Sequence, residues 1–596
     1  MTRHLEAFAE IWLVVWSAAA VPGECLAPKA VVASMPDATP IVVEFPIGGT
    51  AKPLRPPYST KATALLVTID AHVLMSCHLA LGWPVPERTI DLLLEFRVAS
   101  NGQHRASAPR LLDTLSWYGL KYVLASERGT TVEVLERRLT TLEQLWTAMA
   151  PALDLGHALL RGRYLAAVAR IERTGVPIDV DLVSRLRASW HDVRLRVARD
   201  IDVGFGVLRD GRLHVDAFEA WLHHQAISWP RLQSGRLDLS DDVLRDMARA
   251  HPVLGPLRQL LTLLTALDPR ALAIGADGRN RSPLRPFASR TGRNQPSAKA
   301  SILGQSSWAR HLVRPPSGMG LALIDWKQQE FGIAAALSGD ARMQAAYRSA
   351  DPYLALAIQA GAAPKEATPE SHPELRALFK TCALGVQYGM GRSTLARLIG
   401  GSEAAADALI RAHKTAFPKF WRWSDAVEAD GVLTGYLMSV FGWRVAVGPD
   451  ANPRFLRNFP LQANGAEMLR LACCTATEAG IRVCMPMHDA LLIEAPIDEL
   501  DATIAATQNH MAEASRIVLD GFALSTEVKV VRHPDRLSDH RGTVVWRAVQ
   551  RVLDEPADER TASPAHERHG SCAPAHPRII SLYVSKKERG DDTDPG

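Results

Sequence analysis

No run of apolar residues in this chain approaches the ~18 that a membrane-spanning helix needs, which argues against a bilayer span. The nearest candidate, "IWLVVWSAAAV" at 11–21, has only Arg3 and His4 before it. Glu6 and Glu10 sit on the wrong side for a secretory signal. With Val and Trp dominating its first half, the segment reads as a buried strand. Cysteine is sparse. The seven (Cys25, Cys77, Cys382, Cys473, Cys474, Cys484, Cys572) show no C-x-x-C pairing and no nearby His ladder. That argues against a zinc site or a disulfide framework and makes reduced, cytoplasmic thiols the default. Net charge is scarce as well, at +4. Any polyanion site must then be a local patch rather than a field of the whole molecule. No internal repeat is visible.

What is present suits a soluble multidomain protein: 596 residues, 47% hydrophobic and 22% charged, room for roughly three or four domains. Residues 1–150 mix short apolar strands ("IWLVVW", "ALLVTID") with helix-like stretches ("TIDLLLEFRVA", "TVEVLERRLTTLEQLWTAMA"), a small α/β domain. From about 155, apolar residues recur at helical spacing with Arg on the other faces, and "GVPID" (175–179) breaks the pattern. Residues 278–300 hold six basic residues and no acidic one among Gly, Ser and Pro. They read as an exposed basic loop, either a linker or a segment lying along a phosphate backbone. From about 555 the composition cannot build a core, so a disordered tail is expected over 555–596.

Two carboxylates stand out. In "RVCMPMHDALLIEAP" (482–496), His488 and Asp489 separate two apolar runs. A strand–turn–strand hairpin with a polar tip explains the pattern, and so does an Asp kept for a metal, since an unpaired charge at a buried edge is costly. In "LALIDWKQQEFGIAAALSGD" (321–340), Asp325 ends an apolar strand before a helix. One such Asp is more often a helix cap than a ligand. Two of them, each leaving an apolar strand, favour metal coordination. Between them, "ELRALFKTCALGVQYGMG" (374–391) repeats Arg376, Lys380, Leu384 and Tyr388 every four residues. Each step overshoots a turn by about 40°, so the four wind along one helix as two cations followed by an apolar–aromatic pair. A nucleoside triphosphate, with an anionic end and a flat ring, matches that order.

These elements resemble motifs A, B and C of the family A DNA polymerases, the group of bacterial DNA polymerase I. The resemblance covers roughly 155–550. D-Y-S-Q-x-E is matched by "DWKQQE", R-x-x-x-K-x-x-x-[FL]-G-x-x-Y-G by "RALFKTCALGVQYG" and H-D-E by "HDA". "TGR" (291–293) and "RFLRNFPLQANGAEMLR" (454–470) agree with further family elements.

The resemblance implies an α/β multidomain fold, an RNase H-like amino-terminal domain (1–150) followed by a right-hand polymerase fold. Its thumb would span about 155–280, the palm about 281–345 and 451–535, and the fingers about 346–450. It implies a template-directed DNA polymerase that is a monomer, works on primer–template DNA with dNTPs, and acts in the cytoplasm at the nucleoid. Asp325, Asp489 and Trp326 would hold two Mg²⁺ ions, with Mn²⁺ as the alternative. One ion would activate the primer 3′-hydroxyl and the other steady the leaving pyrophosphate. Arg376, Lys380, Leu384, Tyr388, Gln329 and Glu330 would contact the nucleotide, with Glu330 blocking a ribose 2′-hydroxyl. Arg293, Arg454, Asn458, Gln462 and His488 would touch the primer–template. Ala490 departs from the family's third motif C acid, and altered metal dependence is the expected consequence.

The amino-terminal region departs further. The family's proofreading exonuclease opens on D-x-E in its first strand, whereas "EIWLVVWSAAAVPGE" offers Glu10 and Glu24, both read as outside the strand. Its Y-x-x-x-D is replaced by "RRLTTLEQLWTAMAP". Asp91 reads better as a helix start than as a remnant ligand. A shell without nuclease activity is expected, and nothing resembles a 5′-nuclease module. A non-catalytic, primer–template-binding relic is the alternative function.

Overall fold

Among the described residues two larger β-sheets form where β-branched and apolar residues concentrate, each wrapped by helices, beside three two-stranded pairs. The computed structural model describes residues 5–45, 55–101, 103, 111–120, 129–209, 211–265, 268–297, 300–304, 307–349 and 351–555. The expected tail at 556–596 lies outside the described residues. Residues 1–553 form one compact unit; of the second unit, 554–596, only Asp554 and Glu555 are described.

The first sheet has the order β3-β2-β1-β4-β5, from β1 (Glu10–Ala19), β2 (Ala27–Ser34), β3 (Ile41–Glu44), β4 (Ala64–Thr68) and β5 (Thr89–Asp91). β1 to β3 are antiparallel neighbours, while β4 and β5 join β1 in parallel through α1 (Ala71–Leu81). Alternation along β1 serves two cores at once, because successive side chains leave opposite faces. Leu13 and Val15 pack with Leu135, Leu139 and Leu142 of α3 (Thr131–Met149), while Trp12, Val14 and Trp16 pack with Leu74 and Met75 of α1. Glu10 is the first residue of β1, not outside it as its sequence suggested; its carboxylate accepts from Trp12 Nε1. Asp91 is the cap that its position predicted, opening α2 (Leu92–Ser100).

Two long helices follow, α4 (Leu155–Thr174) and α5 (Val180–Asp202), the second broken from ideal geometry at Ser189. α5 buries Leu182, Leu186, Trp190, Val193 and Val197, the helical spacing seen in its sequence.

The second sheet has the order β7-β8-β6-β9, entirely antiparallel. Its centre is β6 (Met319–Trp326), leading to α6 (Gln329–Ser338). Then come α7 (Pro352–Gln359), α8 (Pro373–Gln387) and the 26-residue α9 (Pro453–Glu478), buried along most of its length from Phe459. The hairpin β7 (Arg482–Met487) and β8 (Ala490–Pro496) precedes α10 (Leu500–Val518) and β9 (Thr526–Arg532).

The described part of the basic stretch, 278–297, is less exposed than its composition suggests. Arg279 reaches the buried Glu494 at 2.8 Å, and Ser282, Leu284, Phe287 and Thr291 are buried. Paired cations and interspersed apolar residues anchor it; Arg285 and Arg290 remain exposed.

Candidate active site

The β7–β8 hairpin turns through His488 and Asp489, with Met487 and Ala490 paired across it. His488 takes a left-handed backbone (φ 54°), as tight hairpin turns require. The Asp489 carbonyl accepts from Trp326 N at 3.3 Å, and Ala490 lies opposite Asp325 in register. The two acids predicted to act together are therefore brought close, Asp325 near the end of β6 and Asp489 in the turn just before the neighbouring β8.

Asp325 does not cap the helix that follows. α6 begins only at Gln329, behind Gln328 in the left-handed region (φ 40°), and no side chain caps it. Non-glycine residues are uncommon there, and such positions cluster at functional sites. Burial, then the charges of Asp489 and Glu527, push the Asp325 carboxyl up to about 6. Burial also raises Asp489, opposed by Arg293 and His488. Glu330 is pushed up to about 7, chiefly by burial, with Arg293 and a Gln462 hydrogen bond opposing. Arg293 stands between these acids, 3.8 Å from Glu330 and 3.9 Å from Asp489.

The site thus gathers more negative charge than its own cation offsets. A hard divalent ion fits such a donor set, because Mg²⁺ binds through one or two carboxylates and keeps several waters. Among the described residues no three acidic, His or Cys side chains form a complete metal cage. Water and substrate would supply the remaining positions of such an ion.

Arg293 is placed by its turn. Gly292 (φ 75°) lies against Trp443, where an added Cβ would sit 3.1 Å from the indole, and its carbonyl accepts from Arg470 at 2.7 Å. Arg293 N donates to Ser289 Oγ at 2.8 Å.

α8 carries Arg376, Lys380 and Leu384, but it ends at Gln387. Tyr388, expected as the stripe's last helical member, is instead the residue that terminates the helix, because Gly389 (φ 74°) follows in a left-handed turn. Gln387 Nε2 donates to the Glu330 carbonyl at 2.8 Å, tying α8 to α6. Asn458 Nδ2 donates to the Tyr388 carbonyl at 3.4 Å, and Gln462 bonds Glu330. In this state both amides support neighbouring site residues. Arg454 is exposed and packs over Gly389; His488 is exposed too. Gln329 is 3% exposed with both amide atoms unpartnered, its Oε1 against Gly465 of α9.

Three residues escaped the sequence reading. Glu527 lies opposite Asp325 on β9. Asp351 pairs with Arg376, and Tyr353 places its ring 5.9 Å from both Arg376 and Lys380. The capping pattern of "DPYL" was visible in sequence; its partner on α8 was not.

Comparison with known proteins agrees with this geometry. Residues 297–533 match the model of DNA polymerase family A. A thermostable DNA polymerase I of Thermus thermophilus is 28% identical over 404 residues, 62% of this chain and 47% of that protein. The DNA polymerase of Mycobacterium phage D29 is 28% identical over 441 residues, 70% of this chain and 69% of that one. The chain spans about half the length of the Thermus relatives it matches. In fold it resembles the POL domain of Pol1 from M. smegmatis in complex with DNA primer-template and dNTP. The TM-score is 0.69 at 18% identity, covering 89% of this chain and 96% of that one. No helix among the described residues is long and apolar enough to cross a membrane.

Proposed function

We propose that this chain is a template-directed DNA polymerase that extends a primer 3′ end with deoxynucleotides. The observation that carries the reading is the pair Asp325, near the end of β6, and Asp489, in the turn that leads into the neighbouring β8, with Asp325 capping no helix. Two Mg²⁺ ions, when bound there, supply Lewis acidity for the primer hydroxyl and the pyrophosphate. Asp325, Asp489 and the Trp326 carbonyl are the groups that would hold them.

The chain's own residues do the rest. Arg376 offers a fork and Lys380 a point charge to the triphosphate. Leu384 and Tyr388 line the space for sugar and base. Glu330, fixed by Gln462 and held near Arg293, excludes a ribose 2′-hydroxyl and so selects dNTPs; Gln329 beneath it completes that wall. Arg293, Arg454, Asn458, Gln462 and His488 face the primer–template, and the fingers (346–450) close over the palm once a matched nucleotide is bound.

The first sheet, three antiparallel strands extended by two parallel ones, supports an RNase H-like domain over 1–150. Proofreading is absent in this reading, because Glu10 and Asp91 are engaged in local hydrogen bonds.

Primer extension with Mg²⁺ and four dNTPs tests the proposal. Wild type extends the primer by the template sequence, and Asp489→Asn lowers the rate at least about 100-fold, since metal polarisation provides several kcal/mol. Duplex binding without extension by wild type would assign a non-catalytic relic instead.

A further inference from the structure

We propose that Asp351 is a positioning residue for the incoming triphosphate, acting through Arg376; the inference rests on the polymerase reading above. Asp351 immediately precedes α7, and Pro352 fixes the first helical φ. Its Oδ1 accepts from Tyr353 N at 3.0 Å and Leu354 N at 2.9 Å, which holds the carboxylate rigidly. The remaining oxygen, Oδ2, accepts from Nε of Arg376. Asp351 is 6% exposed in its side chain, Arg376 32%.

The choice of atom decides what this pair does. Bonding through Nε leaves both terminal nitrogens of the guanidinium for another partner, and those two form the fork that meets a phosphate. A site optimised for positive charge alone would not set a buried carboxylate against one of its two cations, because that carboxylate repels a triphosphate. What Asp351 contributes is direction. An unpinned arginine has many rotamers to lose on binding, and a pinned one has few. Tyr353 adds to the same effect: its ring stands 5.9 Å from Arg376 Cζ and from Lys380 Nζ and meets Phe331 of α6 edge-on, centroids 6.4 Å apart. The first turn of α7 thus aligns both cations of α8 against the helix that carries Glu330.

Steady-state extension by the full chain carrying Asp351→Asn tests this. Asn caps a helix as well as Asp does, so the variant removes the ion pair and keeps α7. The expected result is a KM for dNTP raised about tenfold, as for loss of a charged hydrogen bond, with kcat changed less than about threefold. In an Arg376→Lys background, Asp351→Asn costs nothing further, because both changes break one interaction. A fluorescent dNTP binding to enzyme on a chain-terminated primer reports the same loss without chemistry. An unchanged or lowered KM, or full additivity with Arg376→Lys, would overturn the proposal. So would an equal loss of primer–template affinity, which would mark a structural role. A wild type that fails to extend at all would sink the polymerase reading instead, and nucleotide binding would still judge Asp351.

Discussion

The two sheets pose the same local problem and answer it differently. In the first, Asp70 follows β4 and Asp91 ends β5, each just before a helix. Asp70 accepts from Val73 N, and Asp91 accepts from Leu94 N with one oxygen and Ala71 N with the other. In the second sheet Asp325 is the penultimate residue of its strand, and the next helix starts four residues later behind a left-handed Gln328. Titration does not separate the two cases: burial lifts Asp91 to about 7 and Asp325 to about 6. Hydrogen-bond accounting does: both Asp91 oxygens accept from helix N–H groups, whereas Asp325 meets the N–H of Trp326, its neighbour in the strand, and caps no helix, because a left-handed Gln328 keeps the helix start away.

Parallel substitutions are the sharpest way to break this contrast. Asp325→Ala is expected to lower primer extension at least about 100-fold while leaving Tm unchanged or raised. Asp91→Ala should leave extension intact at low temperature and destabilise by about 2 kcal/mol, from a lost cap and an orphaned Ala71 N–H. Thermal melts and extension rates on both variants measure it. Comparable losses of activity from the two would erase the distinction. A nuclease assay belongs beside them: metal-dependent release of nucleotides from a primer end, abolished by Asp91→Ala, would show that the first sheet has kept chemistry.

Acidity provides a gentler test. The unfolded carboxylates titrate near about 4, whereas folded Asp325, Glu330 and Asp91 are raised to about 6, 7 and 7. A raised folded value means stability that is complete below the unfolded pKa and lost as pH rises through the folded one. In chelator, Tm should therefore fall between pH 5 and 8. Adding Mg²⁺ at pH 8 should restore the share due to Asp325, and none of that due to Asp91. Equal recovery in an Asp325→Asn, Asp489→Asn double variant would show that the ion stabilises the protein elsewhere.

Why sequence reached some of this and not the rest follows from range. The strand character of 11–19 and 482–496, the cap at Asp91 and the helical stripe at 376–384 are local patterns of period or propensity. Resemblance to the family's motifs then joined Asp325 to Asp489. Register is not local. "TEVKV" alternates whichever strand it meets, so nothing in it announces that Glu527 faces Asp325. The same limit hid the Asp351–Arg376 pair, whose partners lie in separate helices. The basic loop at 278–300 misled because composition records charge but not the buried Glu494 that Arg279 finds.

Glu527 supplies the smallest expected effect. Residues directly opposite on antiparallel strands share a face, so Ala490, Asp325 and Glu527 form one row across β8, β6 and β9. Glu527 is exposed, and its charge helps hold the Asp325 carboxyl up. Glu527→Gln removes that repulsion and should lower the pKa of Asp325. Asp325 would then stay ionised to lower pH, and the acid limb of the extension rate should shift downward with it. Because a solvated pair at this separation interacts weakly, the shift should be a fraction of a pH unit and the rate at pH 8 should change less than about twofold. A large loss of activity at pH 8 would mean that Glu527 touches an ion itself, and the row would then be a three-carboxylate site rather than two ligands and a neighbour.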